Sequence, residues 1–358
     1  MKFNNCEDSE LELCTKPIVA FVHLGNNPAS TLTWYASEVD KNLSNKHLCL
    51  ITDNPKEFLD FPGEILIYDR SEINKGLSRF SKTNSAFKKL SGGYWKYTTE
   101  RLFALSALSS CFSDSHPVIH LESDVLLLAK DDQVRNVLVK VKKTSVVRYS
   151  DSDGIASILI APTISNLIQS LNALGIILLN DRHIFSDMEL LGKALNQGAL
   201  NELPNSPIEA WPIDSEKSYS IFFDGAFFGQ YLFGLDPVHS QQYSFNGYKN
   251  PNCAYPLSKS IWALLEPSEY EGLSLAILEN NHISFPLCLH VHSKMLIEYP
   301  KINEVFWRKL ISDINAQIFS LKVPVHGSQI HSSNIKIQHR MFIFLYKRIQ
   351  NLKKGLFS

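Results

Sequence analysis

Apolar runs of strand length, broken by turns and interleaved with a helical pattern, constrain this chain most. Pro17-Ile-Val-Ala-Phe-Val-His-Leu24 stops at Gly25-Asn-Asn-Pro28, and a helical pattern follows over about residues 31 to 43. His47-Leu-Cys-Leu-Ile-Thr52 then ends at Asp53-Asn-Pro55, and Glu64-Ile-Leu-Ile-Tyr68 ends at Asp69-Arg70. A continuous apolar strand suits a sheet covered on both faces, and a helical crossover makes neighbouring strands parallel. The expected fold is α/β, a mostly parallel central sheet flanked by helices, with ligand groups at the strand C-termini.

The pattern continues beyond that unit. Residues 70 to 92 are polar and rich in Lys, Ser and Asn, as in a surface excursion, and Leu102, Phe103, Leu105 and Leu108 mark a helix over about 94 to 111. A helix near 132 to 141, strands at Ser145-Val-Val-Arg-Tyr149 and about 155 to 161, and helical periodicity over about 164 to 200 extend the alternation. Short strands separated by polar turns over 240 to 285 predict a small antiparallel subsheet. With 358 residues, 44% hydrophobic, and neither internal repeat nor clean linker, the chain divides into a polar tail (1–16), one domain (17–325, in halves of about 17–128 and 129–325) and a basic amphipathic, helical extension (326–358).

A formal net charge of −1 gives no compositional support for nucleic-acid binding. Cys6, Cys14, Cys49, Cys111, Cys253 and Cys288 lack zinc-like spacing and read as reduced thiols. The polar, acidic first residues do not resemble a secretory leader, and no run reaches the roughly 18 apolar residues of a membrane span, so a cytoplasmic protein is expected.

The chemistry centres on Pro117-Val-Ile-His-Leu-Glu-Ser-Asp-Val-Leu-Leu-Leu128, an apolar run interrupted by Glu122 and Asp124. At period two both carboxylates leave a strand end on the same side, where they can share a hard divalent cation with a bound diphosphate. The same triplet also fits a solvated turn. A second constellation, His290-Val-His292-Ser-Lys294, places two histidines on one strand face, either able to complete the cation's shell, while Lys294 offers a point charge for phosphate. As plain structure, the histidines are core or surface residues of that strand.

Together, the strand ending in Glu122-Ser-Asp124, the first unit Val22-His-Leu-Gly25 and the late strand His290-Val-His-Ser-Lys294 resemble a metal-dependent GT-A fold glycosyltransferase of the nucleotide-diphospho-sugar transferase superfamily, over about residues 17 to 296. The resemblance implies a Rossmann-like sheet, Mn²⁺ or Mg²⁺, a nucleoside-diphosphate sugar donor, by default a UDP-sugar, and a glycan or lipid-linked acceptor, with envelope polysaccharide or lipopolysaccharide assembly as the context. The family's first acid is usually aspartate. Here it is Glu122, which ranks Asp124 first among the metal ligands. By position, Ser123 approaches the ribose or donor sugar, His23, Leu24 and Gly25 line the nucleotide pocket, and Asp53 recognises base or ribose; plainly read, Asp53-Asn-Pro55 is a turn.

Arg101, in the helix feeding the acidic strand, suits a phosphate by its guanidinium fork, or is an ordinary helix-surface arginine. The segment Asp224-Gly-Ala-Phe-Phe-Gly-Gln230 alternates small and aromatic residues, as a sugar site or as tight packing. Asp224 is the first candidate for an acceptor-activating base in an inverting reaction, ahead of Asp151 and Asp153, and Gln230 would lie beneath the sugar in a retaining one. Residues 335–354 mix large apolar side chains with Lys and Arg and suit an anionic membrane surface, or pack as a terminal helix. A sugar-1-phosphate nucleotidyltransferase, a metal-dependent phosphoesterase on the same cluster, and a catalytically inactive glycan-binding module are the alternatives.

Overall fold

The computed structural model describes residues 16–25, 31–69, 94–181, 183–184, 186–212, 219–233, 261–265, 274–279, 282–291, 308–313 and 315. Its centre is a seven-stranded sheet in the order β3-β2-β1-β4-β7-β6-β8, comprising β1 (Ile18–His23), β2 (His47–Thr52), β3 (Glu64–Ile67), β4 (Val118–Leu121), β6 (Ser145–Arg148), β7 (Gly154–Ala161) and β8 (Asn201–Leu203). β3, β2, β1 and β4 run parallel, β7 is antiparallel to both β4 and β6, and β6 is parallel to β8. This mixed, mostly parallel α/β sheet is consistent with the expected GT-A architecture.

The continuous apolar runs are explained by two cores. Along β1, Val19 and Phe21 join one buried cluster while Ile18, Ala20 and Val22 join the other, so both faces of the strand are covered. Helix α1 (Leu32–Asn42) packs Leu32, Tyr35, Ala36 and Val39 against the first face at helical spacing. Helix α2 (Tyr94–Ala104), running into a 3₁₀ turn at Leu105–Ser110, contributes Leu102, Leu105 and Leu108 to the second. Each such side chain, fully buried, contributes about 1.5–3 kcal/mol relative to exposure.

Helix α3 (Asp131–Lys140) joins the first face, and α4 (Ile164–Asn180) and α5 (Asp187–Asn196) the second. The Ser186 hydroxyl caps α5 by accepting the Glu189 N–H at 3.1 Å, which fixes Asp187 in its first turn. A five-stranded sheet, β11-β12-β13-β10-β9, contains β9 (Trp211–Pro212), β10 (Tyr219–Phe222), β11 (Ile261–Leu265), β12 (Ser274–Glu279) and β13 (His282–Pro286), with α6 (Phe228–Phe233) after β10. It supplies the expected antiparallel subsheet, although β10 and β13 pair in parallel.

The run Pro117–Leu128 is not one strand. It divides into β4 and β5 (Val125–Leu127), and β5 leaves the central sheet to pair antiparallel with β14 (Cys288–His290). The break is a turn at Glu122–Asp124, closed by the Val125 N–H donating to the Glu122 carbonyl at 3.2 Å. The carboxylates therefore converge through a turn and not through the period-two alternation of a strand. The polar tail (1–15), the expected surface excursion (70–92) and the basic extension (326–358) lie outside the described residues.

A candidate metal centre at the sheet edge

Parallel strands β2, β1 and β4 end on one side of the sheet, which brings the candidate residues of three separate segments to one edge. At the end of β1 the chain turns at Gly25, with φ +106°, and its N–H donates to Asp53 Oδ1 at 2.9 Å. A side chain is disfavoured there by backbone conformation alone, because a Cβ would meet nothing within 4 Å. His23, beside them, packs edge-on against Phe58 with ring centroids 5.0 Å apart. His23, Gly25 and Asp53 thus form one corner next to the turn after β4.

That turn faces β14. His290 Nε2 lies 3.3 Å from Asp124 Oδ1 and 3.4 Å from Glu122 Oε2, and one ligand atom from each residue falls within 4.8 Å of the others. An octahedral ion with bonds of about 2.1 Å spaces adjacent ligands by roughly 3 Å and opposite ligands by roughly 4.2 Å. The donor set fits such an ion, with two hard carboxylates and one imidazole. The Asp124 side chain is 27% exposed against 11% for Glu122, which leaves Asp124 the more open ligand.

Glu122 has a second attachment. Its Oε1 pairs with Arg101 Nη2, which also lies 3.5 Å from Asp187 Oδ2. Of the two readings of Arg101, a phosphate ligand or a helix-surface arginine, neither includes this pairing with two buried acids. Burial pushes the Glu122 carboxyl above its ordinary range, Arg101 and His290 pull the other way, and Asp124 and Asp187 reinforce the rise. Burial disfavours a charged His290, but Asp124, by charge and hydrogen bond, then Glu122 and Asp224 outweigh it and move the imidazole up to about 9. A metal ion bound there would compete with a proton for the imidazole.

Behind the ligands lies a ring of backbone contacts. The Glu122 N–H donates to the Ser157 carbonyl at 3.1 Å, the Ser157 hydroxyl donates to the Asp224 carbonyl at 3.2 Å, and the His290 N–H donates to Asp224 Oδ2 at 3.0 Å. The Val291 N–H closes the ring on the Asp124 carbonyl at 2.7 Å. Asp224 is 0% exposed, and its carboxylate also accepts the N–H groups of Phe227, Phe228 and Gly229 at 2.7, 3.0 and 2.6 Å. Burial raises its pKa against these bonds. Its oxygens are thus committed to backbone N–H groups.

Gln230 is buried in α6 at 6% exposure, Ser123 is half-buried in the acidic turn, and Asp153 accepts the Ser150 and Ser152 hydroxyls, each at 2.7 Å. His292 and Lys294 lie outside the described residues. Two further residues of the centre were missed from sequence. Asp187 sits inside the capping pattern Ser186-x-x-Glu189, a signal that locates a helix start and hence this acid. Ser157 is the polar interruption of the apolar run Ile155–Ala161.

No family model and no curated protein matches the chain. Solved structures it resembles include the galactosyltransferase LgtC in complex with donor and acceptor sugar analogues, at 13% identity over 53% of this chain and 74% of that one, TM-score 0.34. Mouse xyloside xylosyltransferase 1 is similar at 9% identity over 53% and 86%, TM-score 0.36. Glycosyltransferase GlyE of Streptococcus pneumoniae is similar at 14% identity over 88% and 66%, TM-score 0.39. Likeness at these levels carries no argument about chemistry, which rests on the geometry of the site itself.

Proposed function

We propose that this chain is a divalent-metal-dependent glycosyltransferase, moving a sugar from a nucleoside diphosphate, UDP by default, to a glycan or glycolipid acceptor. The observation that carries the reading is the convergence of Glu122, Asp124 and His290 beside the Gly25–Asp53 corner, at the C-terminal edge of a mostly parallel sheet. Glu122, Asp124 and His290 would hold Mn²⁺ or Mg²⁺, and the ion, when bound, supplies positive charge to a departing diphosphate. His23, Gly25 and Asp53 receive the nucleoside, Ser123 approaches its ribose or the sugar, and His292 and Lys294, which follow β14, supply a ligand and phosphate charge. Arg101 keeps Glu122 in place from behind. Gln230 contributes to the donor-sugar side from α6. A lipid-linked acceptor in envelope assembly fits the basic segment 335–354, which would rest on an anionic membrane; among the described residues no helix is long and apolar enough to cross one.

A thermal-shift series with UDP, GDP, CMP and dTDP, each with and without Mn²⁺, tests the reading, because a ligand that binds the folded state raises its melting temperature. A metal-dependent rise with one nucleotide is expected. Absence of any such rise, together with absence of donor hydrolysis, would remove the transferase assignment.

A further inference from the structure

We propose that Asp224 is a positioning residue that presets the His290 imidazole for metal, so that the third ligand is in place before the ion arrives. The inference rests on the reading of His290 as a metal ligand, and it replaces the role of base that the sequence suggested for Asp224. In β14 the His290 carbonyl and N–H point away from β5, toward α6. The N–H is taken by Asp224 Oδ2, while the next N–H, of Val291, is taken by the Asp124 carbonyl. The backbone carrying the imidazole is thereby fixed from both sides.

The other three bonds of Asp224 explain how the carboxylate is itself held. It gathers the Phe227, Phe228 and Gly229 N–H groups at the start of α6. To do so the chain passes through Ala226 at φ +88°, a conformation that side-chain-bearing residues rarely adopt and that persists only where surroundings over-determine it. Gly229 completes the fit: a Cβ there would lie 2.1 Å from the His290 carbonyl oxygen. The strained turn, the glycine contact and the four-fold acceptor all act on one strand end. Such outer contacts orient a ligand without touching the metal.

The test uses the full chain. Pulsed electron paramagnetic resonance of bound Mn²⁺ should show a ¹⁴N imidazole coupling in the wild type that is reduced in His290→Ala, with any coupling left there removed by adding His292→Ala. Asp224→Asn should bind Mn²⁺ roughly 10- to 100-fold more weakly and lose or shrink that coupling, with Glu122 and Asp124 still present. Unchanged coupling with affinity within about twofold would overturn the positioning role while leaving the metal site standing. Because Asp224→Asn removes a buried acceptor and can fail to fold, amide exchange of the metal-free wild type gives a second decision. The His290 N–H should already be strongly protected there and gain little on adding Mn²⁺. Fast exchange that slows only with metal would overturn the inference. A wild type that binds no Mn²⁺ would instead overturn the metal reading, and the exchange measurement would still decide whether Asp224 fixes β14.

Discussion

Glu122 and Asp187 share one guanidinium: Arg101 pairs with Glu122 and lies 3.5 Å from Asp187, and all three side chains are under one-fifth exposed. Removing the cation takes the shared counter-charge from two buried acids, whereas removing Asp187 loosens the guanidinium that steadies Glu122. Arg101→Ala should therefore lower stability by about 3–5 kcal/mol in denaturant unfolding. Asp187→Asn should leave a folded protein whose Mn²⁺ affinity falls by roughly tenfold. Equal Mn²⁺ affinity in Asp187→Asn and wild type would show that the shared guanidinium has no influence on the ligand.

Asp124→Ala should behave differently, because Asp124 stands at a partly exposed turn with like charges nearby. The metal-free melting temperature is expected to fall modestly, since loss of the Asp124–His290 hydrogen bond is only partly offset by relief among the crowded acids. Mn²⁺-dependent nucleotide stabilisation and donor turnover should be lost. Persistent turnover would remove Asp124 from the mechanism.

Gly25→Ala probes the nucleotide corner. The site offers space for a methyl group but has φ +106°, so the cost is conformational, about 1–3 kcal/mol. The turn is expected to shift and break the bond to Asp53, so nucleotide affinity should fall in Gly25→Ala and in Asp53→Ala alike. Titration calorimetry that finds either variant binding nucleotide as the wild type does would separate this corner from the donor site.

Stability should also carry a histidine signature. His120 is fully buried with Nδ1 3.0 Å from the Ala20 carbonyl, and burial, aided by the Arg101 charge, lowers its pKa to about 3. Between that value and the ordinary histidine pKa of about 6.5, the unfolded chain binds a proton that the folded chain refuses. This contribution is therefore complete above the unfolded value and is lost progressively as pH falls below it. The melting temperature should drop between pH 7 and pH 5, and His120→Asn, which retains a donor for Ala20, should flatten that slope. Parallel slopes in the two proteins would contradict this.

Strand runs and the parallel order of β1, β2 and β4 could be read from sequence because each rests on local pattern plus one topological rule, whereas His290 and His292 remain equal candidates for the third ligand until the fold brings His290 to Glu122 and Asp124. The turn at Glu122–Asp124 could not be read there: the run through Leu128 is apolar on both sides of the acids, and only pairing of β5 with β14 reveals that the strand has changed sheets. Arg101 and Asp224 carried chemistry expected of exposed groups, yet tertiary packing buries both among partners supplied by distant segments. Periodicity registers the face of an element and not what will later be packed against that face. Asp187 and Ser157 escaped for the same reason, since each acts through a residue far away in sequence.

The pairing of β5 with β14 has a consequence for how the protein comes into being. One strand follows the acidic turn and the other carries the histidine, with most of the domain between them in the chain. Contacts of such long sequence separation form late, after local α/β units have condensed. During synthesis the sheet edge with its acids can take shape well before its third ligand emerges. High-affinity metal capture would then mark a finished molecule, leaving incomplete chains with only a weak, two-acid grip on the ion.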